Sequence, residues 1–223
     1  MDIKIEHDVL GDVSTNVYYL IYDRHVLIID PAAEPERIIS KIEGEGLLPS
    51  AILITHGHYD HFSAANELRS HFKVNVYAPA GDKKLFSDLE HNASSFMSGQ
   101  KRILVPDVYI DGGVELSFAG LSLLAKNTPG HTAGSVSYYI DFYAEGYRCI
   151  NDGFKDISGL ILAGDTVFKN SVGRCDLFTG NEEVLNDTIN NVFKKLPEDT
   201  LVLPGHGEYT FIGMEIERNP WFK

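Results

Sequence analysis

The chain alternates short apolar runs with polar stretches punctuated by glycine. Residues 17–21 and 26–29 are apolar runs on either side of Asp23-Arg24 and predict a β-hairpin. Over 35–45 the period changes. Ile38, Ile39 and Ile42 recur at helical spacing behind Pro35, and Gly44 and Gly46 end the segment, so a helix is expected. Residues 51–54 predict a buried strand, 62–72 an amphipathic helix, 74–77 a strand and 82–89 a second helix. Further on, 114–118 and 121–126 predict a hairpin turned at Ala119-Gly120, and 136–140 and 159–163 two more strands. A helix is expected over 182–195 and a last strand over 201–203. Residues 142–158 are polar and irregular and are expected as a surface insertion between two strands. Strands followed by helices, twice over, predict two sheets packed face to face with helices outside, an α+β arrangement. No Pro- or Ser-rich linker intervenes, so residues 1–223 are expected to form one domain.

Composition narrows the function classes. Hydrophobic residues make up 43% and charged residues 23%, as in soluble globular chains. No apolar run reaches the ~20 residues of a membrane-spanning helix, so no membrane partner is expected. A net charge of −13 offers no clustered basic surface for phosphates, which argues against a nucleic-acid partner. The opening Met1-Asp2-Ile3-Lys4 shows no secretory pattern, and Cys149 and Cys175 lie far apart, outside any CxxC. A reducing, cytoplasmic setting is the expectation.

The segment that carries chemistry is Thr55-His56-Gly57-His58-Tyr59-Asp60-His61, between a predicted buried strand and a predicted helix. Imidazoles and a carboxylate are costly in an apolar core but are the ligands that Zn²⁺ and neighbouring divalent ions accept. One short loop cannot aim four such groups at a single tetrahedral ion, so two adjacent ions fit better; a solvated histidine-rich turn is the bland alternative. Three other places share the context of small residues beside a strand: His131 in Pro129-Gly130-His131-Thr132, Asp165 after Ala163-Gly164, and His206 in Pro204-Gly205-His206-Gly207. Taken singly each reads as a turn residue. With the first cluster they make seven candidate ligands, enough for two ions and an open position for water.

His56, His58, Asp60 and His61 in an HxHxDH pattern, followed in order by His131, Asp165 and His206, resemble the metallo-β-lactamase-fold hydrolases across nearly the whole chain. The resemblance implies a four-layer αββα sandwich with the site at one edge between the sheets. It also implies one metal on His56, His58 and His131, a second on Asp60, His61 and His206, and Asp165 bridging both. Zinc is the first expectation, with iron or manganese as alternatives. Thr15-Asn16, Gly173-Arg174-Cys175-Asp176 and Asn219-Pro220 are similar to the glyoxalase II-like (hydroxyacylglutathione hydrolase-like) subgroup. That likeness implies a metal-bound water, held by Asp165 and oriented by Asp60, attacking a thioester of the S-D-lactoylglutathione type or a related small ester. Full-length glyoxalase II adds a helical C-terminal substrate region, whereas only a short tail follows His206 here, so glutathione recognition is not implied.

Other readings stay open at this stage. Persulfide dioxygenases share the pattern but hold one iron on residues corresponding to His56, His131 and Asp165. A non-catalytic metal-binding scaffold would be marked by ligand loss, and no ligand position is lost. An antibiotic-degrading lactamase would normally be exported, which the expected location disfavours. Arg174 and Asp176 are either an ion pair bracing the site or a substrate contact. Tyr59, Phe168, Phe178 and Tyr209 line a pocket or pack in the core or rim, and Cys175 is expected to be an inert thiol. His7, His25, His71 and His91 are expected at solvated positions.

Overall fold

Continuous apolar strands need burial on both faces, and the computed structural model, which describes residues 1–95 and 101–223, provides it. The first half runs β1 (Asp2–Leu10), β2 (Thr15–Tyr22), β3 (His25–Ile29), α1 (Pro35–Gly44), β4 (Leu48–Leu53), α2 (Ala65–Phe72), β5 (Val76–Pro79) and β6 (Val108–Ile110). The chain continues through β7 (Val114–Phe118), β8 (Leu121–Asn127), β9 (Val136–Asp141), α3 (Phe142–Glu145), β10 (Arg148–Cys149) and β11 (Gly159–Gly164). It ends with β12 (Val167–Phe168), β13 (Ser171–Val172), α4 (Glu182–Asn191), β14 (Leu201–Pro204), β15 (Thr210–Phe211) and α5 (Ile212–Arg218). One sheet has seven strands in the order β10-β1-β2-β3-β4-β5-β6, the other six in the order β15-β14-β11-β9-β8-β7.

Side-chain alternation divides the core into three. In β3, Leu27 and Ile29 face the space between the sheets, whereas Val26 and Ile28 face α1 and α2. In β11, Leu160 and Leu162 face inward, and Ile161 and Ala163 meet Leu185 and Ile189 of α4. The result is the αββα sandwich that the strand-and-helix pattern predicts. No helix among the described residues is long and apolar enough to cross a membrane.

Several elements differ from expectation. β1 escapes the sequence reading because its inward Ile3 and Ile5 sit among Lys4, Glu6, His7 and Asp8, too polar a run to signal a strand. The helix expected over 62–72 begins only at Ala65, because a 3₁₀ turn at Tyr59–His61 comes first. The helix expected over 82–89 is two 3₁₀ turns, Ala80–Asp82 and Leu85–Ser87. Its first residue is held instead by loops from both sheets: the Asp82 carboxylate accepts from Gly57 N and Gly134 N, each at 2.8 Å, and from Thr132 Oγ1 at 2.7 Å. The helix expected over 182–195 ends at Asn191 and finishes as a 3₁₀ turn. Residues 142–158 are more than an insertion, for they leave the second sheet, form α3, and add β10 in parallel to β1 of the first. The aromatic tail packs on its own chain, with Phe222 buried beside Phe193 and Ile212.

At one end of the sandwich the two sheets are fastened together. Asn16 N donates to Gly205 O at 2.7 Å, Thr15 pairs with His206 as an isolated bridge, and Tyr138 Oη donates to Ile54 O at 2.8 Å. Asn16 Nδ2 also donates to Pro204 O and Gly207 O, each at 2.9 Å. Replacing Asn16→Ala removes the side-chain donor to Gly207 O and one of two to Pro204 O, which still accepts from Tyr18 Oη, and we expect metal-free protein to lose roughly 1–3 kcal/mol in urea unfolding. A loss under about 0.5 kcal/mol, the range of an unremarkable surface change, would show that the fastening is not needed.

Candidate metal centre

Each strand that runs into this end stops at a small residue or turn and delivers a polar side chain. β4 leads into Thr55-His56-Gly57-His58, the 3₁₀ turn supplies Asp60 and His61, the β8–β9 loop supplies His131, β11 leads into Asp165, and β14 leads into His206. Gly205 makes room between the last two, since a Cβ there would stand 2.2 Å from Asp165 Oδ1 and 2.7 Å from His61 Cε1. All seven residues singled out by the sequence come together. Ligand atoms converge in three triads: His56, His58 and His131; His56, His61 and Asp165; and Asp60, His61 and His206.

The separations are those of ligands around an ion. His61 Nε2 stands 3.3 Å from Asp60 Oδ2 and 3.4 Å from Asp165 Oδ1, and His206 Nε2 stands 3.3 Å from Asp60 Oδ2 and 3.4 Å from Asp165 Oδ2. Donors placed tetrahedrally ~2.1 Å from one cation lie ~3.4 Å apart. Among the described residues, His56 Nε2, His58 Nε2, His61 Nε2 and Asp165 Oδ1 are buried without a hydrogen-bond partner. Buried polar atoms rarely stay unpaired, so this donor set fits divalent metal binding.

Sequence comparison identifies the family. The profile of the metallo-beta-lactamase superfamily matches residues 10–143. The chain belongs to that superfamily. The Bacillus subtilis (strain 168) protein named probable metallo-hydrolase YqgX is 38% identical over 95% of this chain and 94% of its own length. Hydroxyacylglutathione hydrolase GloC of Haemophilus influenzae is 32% identical over 91% of this chain and 90% of its own. Among solved structures, the BLEG-1 B3 metallo-beta-lactamase superposes with a TM-score of 0.87 at 32% identity, covering 98% of this chain and 99% of that one. TTHA1623 in a di-iron-bound form gives 0.79 at 30% identity, covering 97% and 99%.

In this superfamily member the ligand rings are oriented from behind, by residues that the sequence reading mostly passed over. Asp30 is buried at the end of β3, and its Oδ2 lies 2.9 Å from His61 Nδ1. The same carboxylate accepts from Thr55 N at 2.8 Å and Thr55 Oγ1 at 2.7 Å, and that hydroxyl lies 3.0 Å from His56 Nδ1. His131 Nδ1 is 2.7 Å from Arg174 O, and Thr15 Oγ1 donates to Asp60 Oδ2 at 2.9 Å. One signal for Asp30 was available: a carboxylate closing an apolar strand, the feature that marked Asp165.

The pocket over the centre, about 330 Å³, is walled by Val13, Tyr59, Ala93, Phe168, Arg174 and Leu177. Tyr59 and Phe168 line it as one of the open readings had it. Phe178 instead stacks on His91, and Tyr209 packs at 4.9 Å from Phe154 in a separate cavity of about 830 Å³ that touches none of the seven residues. Size does not identify the chemistry here, and the smaller pocket is the one facing the triads. Arg174 makes a two-point ion pair with Asp176, both contacts at 2.7 Å, and the residue is part of the pocket wall. Burial pushes the Cys175 thiol up, consistent with an inert sulfur. Of the outlying histidines, His7 and His71 are exposed, and His25 and His91 are half-buried.

Electrostatics in the metal-free chain follow from this crowding. Burial lowers His58 to about 3 and holds His56 well below the usual imidazole range, so both are neutral and ready to ligate. Burial opposes charge on His206 too, but Asp165 and Asp60 outweigh it and raise the imidazole to about 10. His61 is raised in the same way by Asp60, Asp165 and Asp30. The folded value of His206 lies above its ordinary 6.5, so its stabilising charge is fully present below 6.5 and is lost as the pH rises through about 10. Metal uptake runs the other way, since it needs the neutral ring. At pH 8 we expect metal binding to release protons, seen by titration calorimetry as an enthalpy that tracks the buffer's ionisation heat; a buffer-independent enthalpy would contradict the charge assignment. Asp30→Asn keeps the size but loses the carboxylate behind His61, and metal affinity should fall roughly 10–100-fold in a competitive chelator titration.

Proposed function

We propose that this chain is a dinuclear metal-dependent hydrolase of small thioesters or esters. The overlapping triads carry the reading: His56, His58 and His131 would hold one ion and Asp60, His61 and His206 the other, with Asp165, which converges with His56 and His61, available to both. The iron set of the dioxygenase reading, His56, His131 and Asp165, also lies close together, with His131 Nε2 3.7 Å from Asp165 Oδ2 and His56 in a triad with each, so the number of ions bound separates the two readings. Divalent ions bound by these residues would supply an activated water at neutral pH and positive charge for a developing oxyanion. The chain's own part is positioning. Asp60, fixed by Thr15 Oγ1 and half-buried at the pocket wall, is placed to orient the water and take its proton. Val13, Phe168 and Leu177 exclude bulk water around a compact acyl group, and a pocket of about 330 Å³ sits at the small end of ligand sites.

Likeness to the Haemophilus influenzae hydroxyacylglutathione hydrolase supports S-D-lactoylglutathione as the first substrate to test, and likeness to BLEG-1 makes a β-lactam the necessary comparison. Zinc is our first choice of metal; the di-iron form of TTHA1623 makes iron the alternative. Arg174 is read as bracing the His131 loop, since its guanidinium is committed to Asp176 and its carbonyl to His131.

Metal analysis of protein purified without chelator should give close to two ions per chain, with turnover of the thioester well above that of the β-lactam. One iron per chain with persulfide-dependent O₂ uptake would replace the reading with the dioxygenase. Asp165→Ala should abolish paired metal binding and activity together. Asp60→Ala should keep part of the metal while turnover falls at least ~10²-fold, the scale of losing a positioned acid–base group. Full metal content and activity in Asp165→Ala would sink the ligand assignment.

A further inference from the structure

The hairpin that carries Phe168 lies outside both main sheets. Its strands β12 and β13 have two residues each, Val167 paired with Val172 and Phe168 with Ser171, across a Lys169-Asn170 turn. A two-stranded ribbon this short does not hold itself in water. Alternation buries Val167 among Leu185 and Ile189 of α4 and sends Phe168 to the opposite face. There it walls the metal pocket, its ring centroid 6.1 Å from that of His206. Val167 fixes the start of the ribbon, but the turn needs a fastening of its own. Lys169 pairs with Glu208 at the surface, and a solvent-exposed pair of this kind contributes little.

The stronger fastening is a buried carboxylate. Glu215 of α5 is 0% exposed, and its partners are neutral donors from three separate segments. Its Oε2 accepts from Asn170 N of the turn at 2.9 Å and from Asn219 Nδ2 of the tail at 2.7 Å, while Oε1 accepts from Thr210 Oγ1 of β15 at 2.7 Å. Asn219 is buried as well, and the same Nδ2 donates to Ser171 O at 3.0 Å, so the Asn219-Pro220 tail also grips β13. A carboxylate buried among neutral donors is costly, and a helix that needed only packing would be served by an apolar side chain. Of the three segments it joins, the hairpin is the one that reaches the metal pocket.

We propose that Glu215 is a positioning residue for substrate selection: with Asn219 it holds the β12–β13 hairpin so that Phe168 closes the pocket beside His206 and limits the length of the acyl group. This rests on the thioester reading, in which the acyl half occupies the metal pocket. Glu215 touches neither substrate nor metal in this assignment and acts through Asn170 and Phe168. Released from it, the turn moves outward with Phe168, and the pocket admits longer chains.

The test is the ratio of kcat/KM on S-hexanoyl-N-acetylcysteamine to that on S-acetyl-N-acetylcysteamine. Phe168→Ala should raise this ratio roughly tenfold, the lower end of what one methylene is worth in an apolar pocket, and Glu215→Ala should raise it at least ~threefold. Metal content should equal wild type in both. Glu215→Gln should restore the wild-type ratio, because its amide oxygen still accepts from Asn170 and Asn219 while its NH₂ faces the Thr210 hydroxyl. Where Glu215→Ala does not fold, Asn219→Ala, which removes the donor to Ser171 O, is read by the same ratio. A lower thermal midpoint in Glu215→Ala with an unchanged ratio would make its role structural only, and metal loss would place its effect in the centre. Either result overturns the proposal, as does an unchanged ratio in Phe168→Ala. If wild type cleaves neither thioester, the hydrolase reading has failed. The wall is then tested by calorimetric binding of acetohydroxamate and hexanohydroxamate to the metal-loaded protein. A relative gain for the longer hydroxamate in Glu215→Ala supports the proposal, and an unchanged ratio or no binding of either refutes it.

Discussion

His61 of the first sheet's loop and Asp165 of the second stand 3.4 Å apart, and the site depends on that approach. Two sheets that pack only through apolar side chains can slide by a fraction of an ångström at little cost. A metal centre cannot, because its ligands must be placed within a few tenths of an ångström. The end of the sandwich is therefore fastened by directional bonds: Asn16 to the His206 loop, Tyr138 to the backbone before His56, and Asp82 to the loops carrying His58 and His131. The apolar core sets the layers roughly, and these polar ties set the register finely.

Crowding so many polar groups also sets the charge on each ligand in the metal-free chain. The Asp60 and Asp165 carboxylates face burial that opposes their charge, yet His61 and His206 keep both well below the usual carboxylate range. Two protonated imidazoles thus offset the two carboxylates in the metal-free cluster. His56 and His58, pushed down by burial, take no part in that exchange. The division separates ligands permanently open to a cation from ligands that must give up a proton to receive one.

Much of this was legible in the sequence, and the unread parts share a cause. The β3, β11 and β14 strands announce themselves because both faces are buried and the residues are uniformly apolar. The seven clustered residues stand out because polar side chains directly after such strands are costly unless used. β1 did not show, since an edge position beside the short β10 lets it carry charges between its inward residues. The segment after Pro79 reads as helix from local spacing, but Asp82 is held by amides and a hydroxyl 25 to 52 residues away, a tertiary demand that no local pattern carries. Asp30 falls between these cases. Its position at a strand end was visible, but its role depends on His61 turning its Nδ1 towards it, which only the fold determines.

The same division bears on substrate choice. The residues that hold the centre come from strand ends and are locked by bonds behind them, so they define a reaction and say little about what is cleaved. Val13, Ala93, Phe168 and Leu177 line the pocket from connecting segments and contribute shape, with no charge to select one substrate over another. Arg174, the one cation in that wall, is balanced by Asp176 and anchored to His131 through its carbonyl. With no uncompensated charge in this wall, the pocket itself selects by shape.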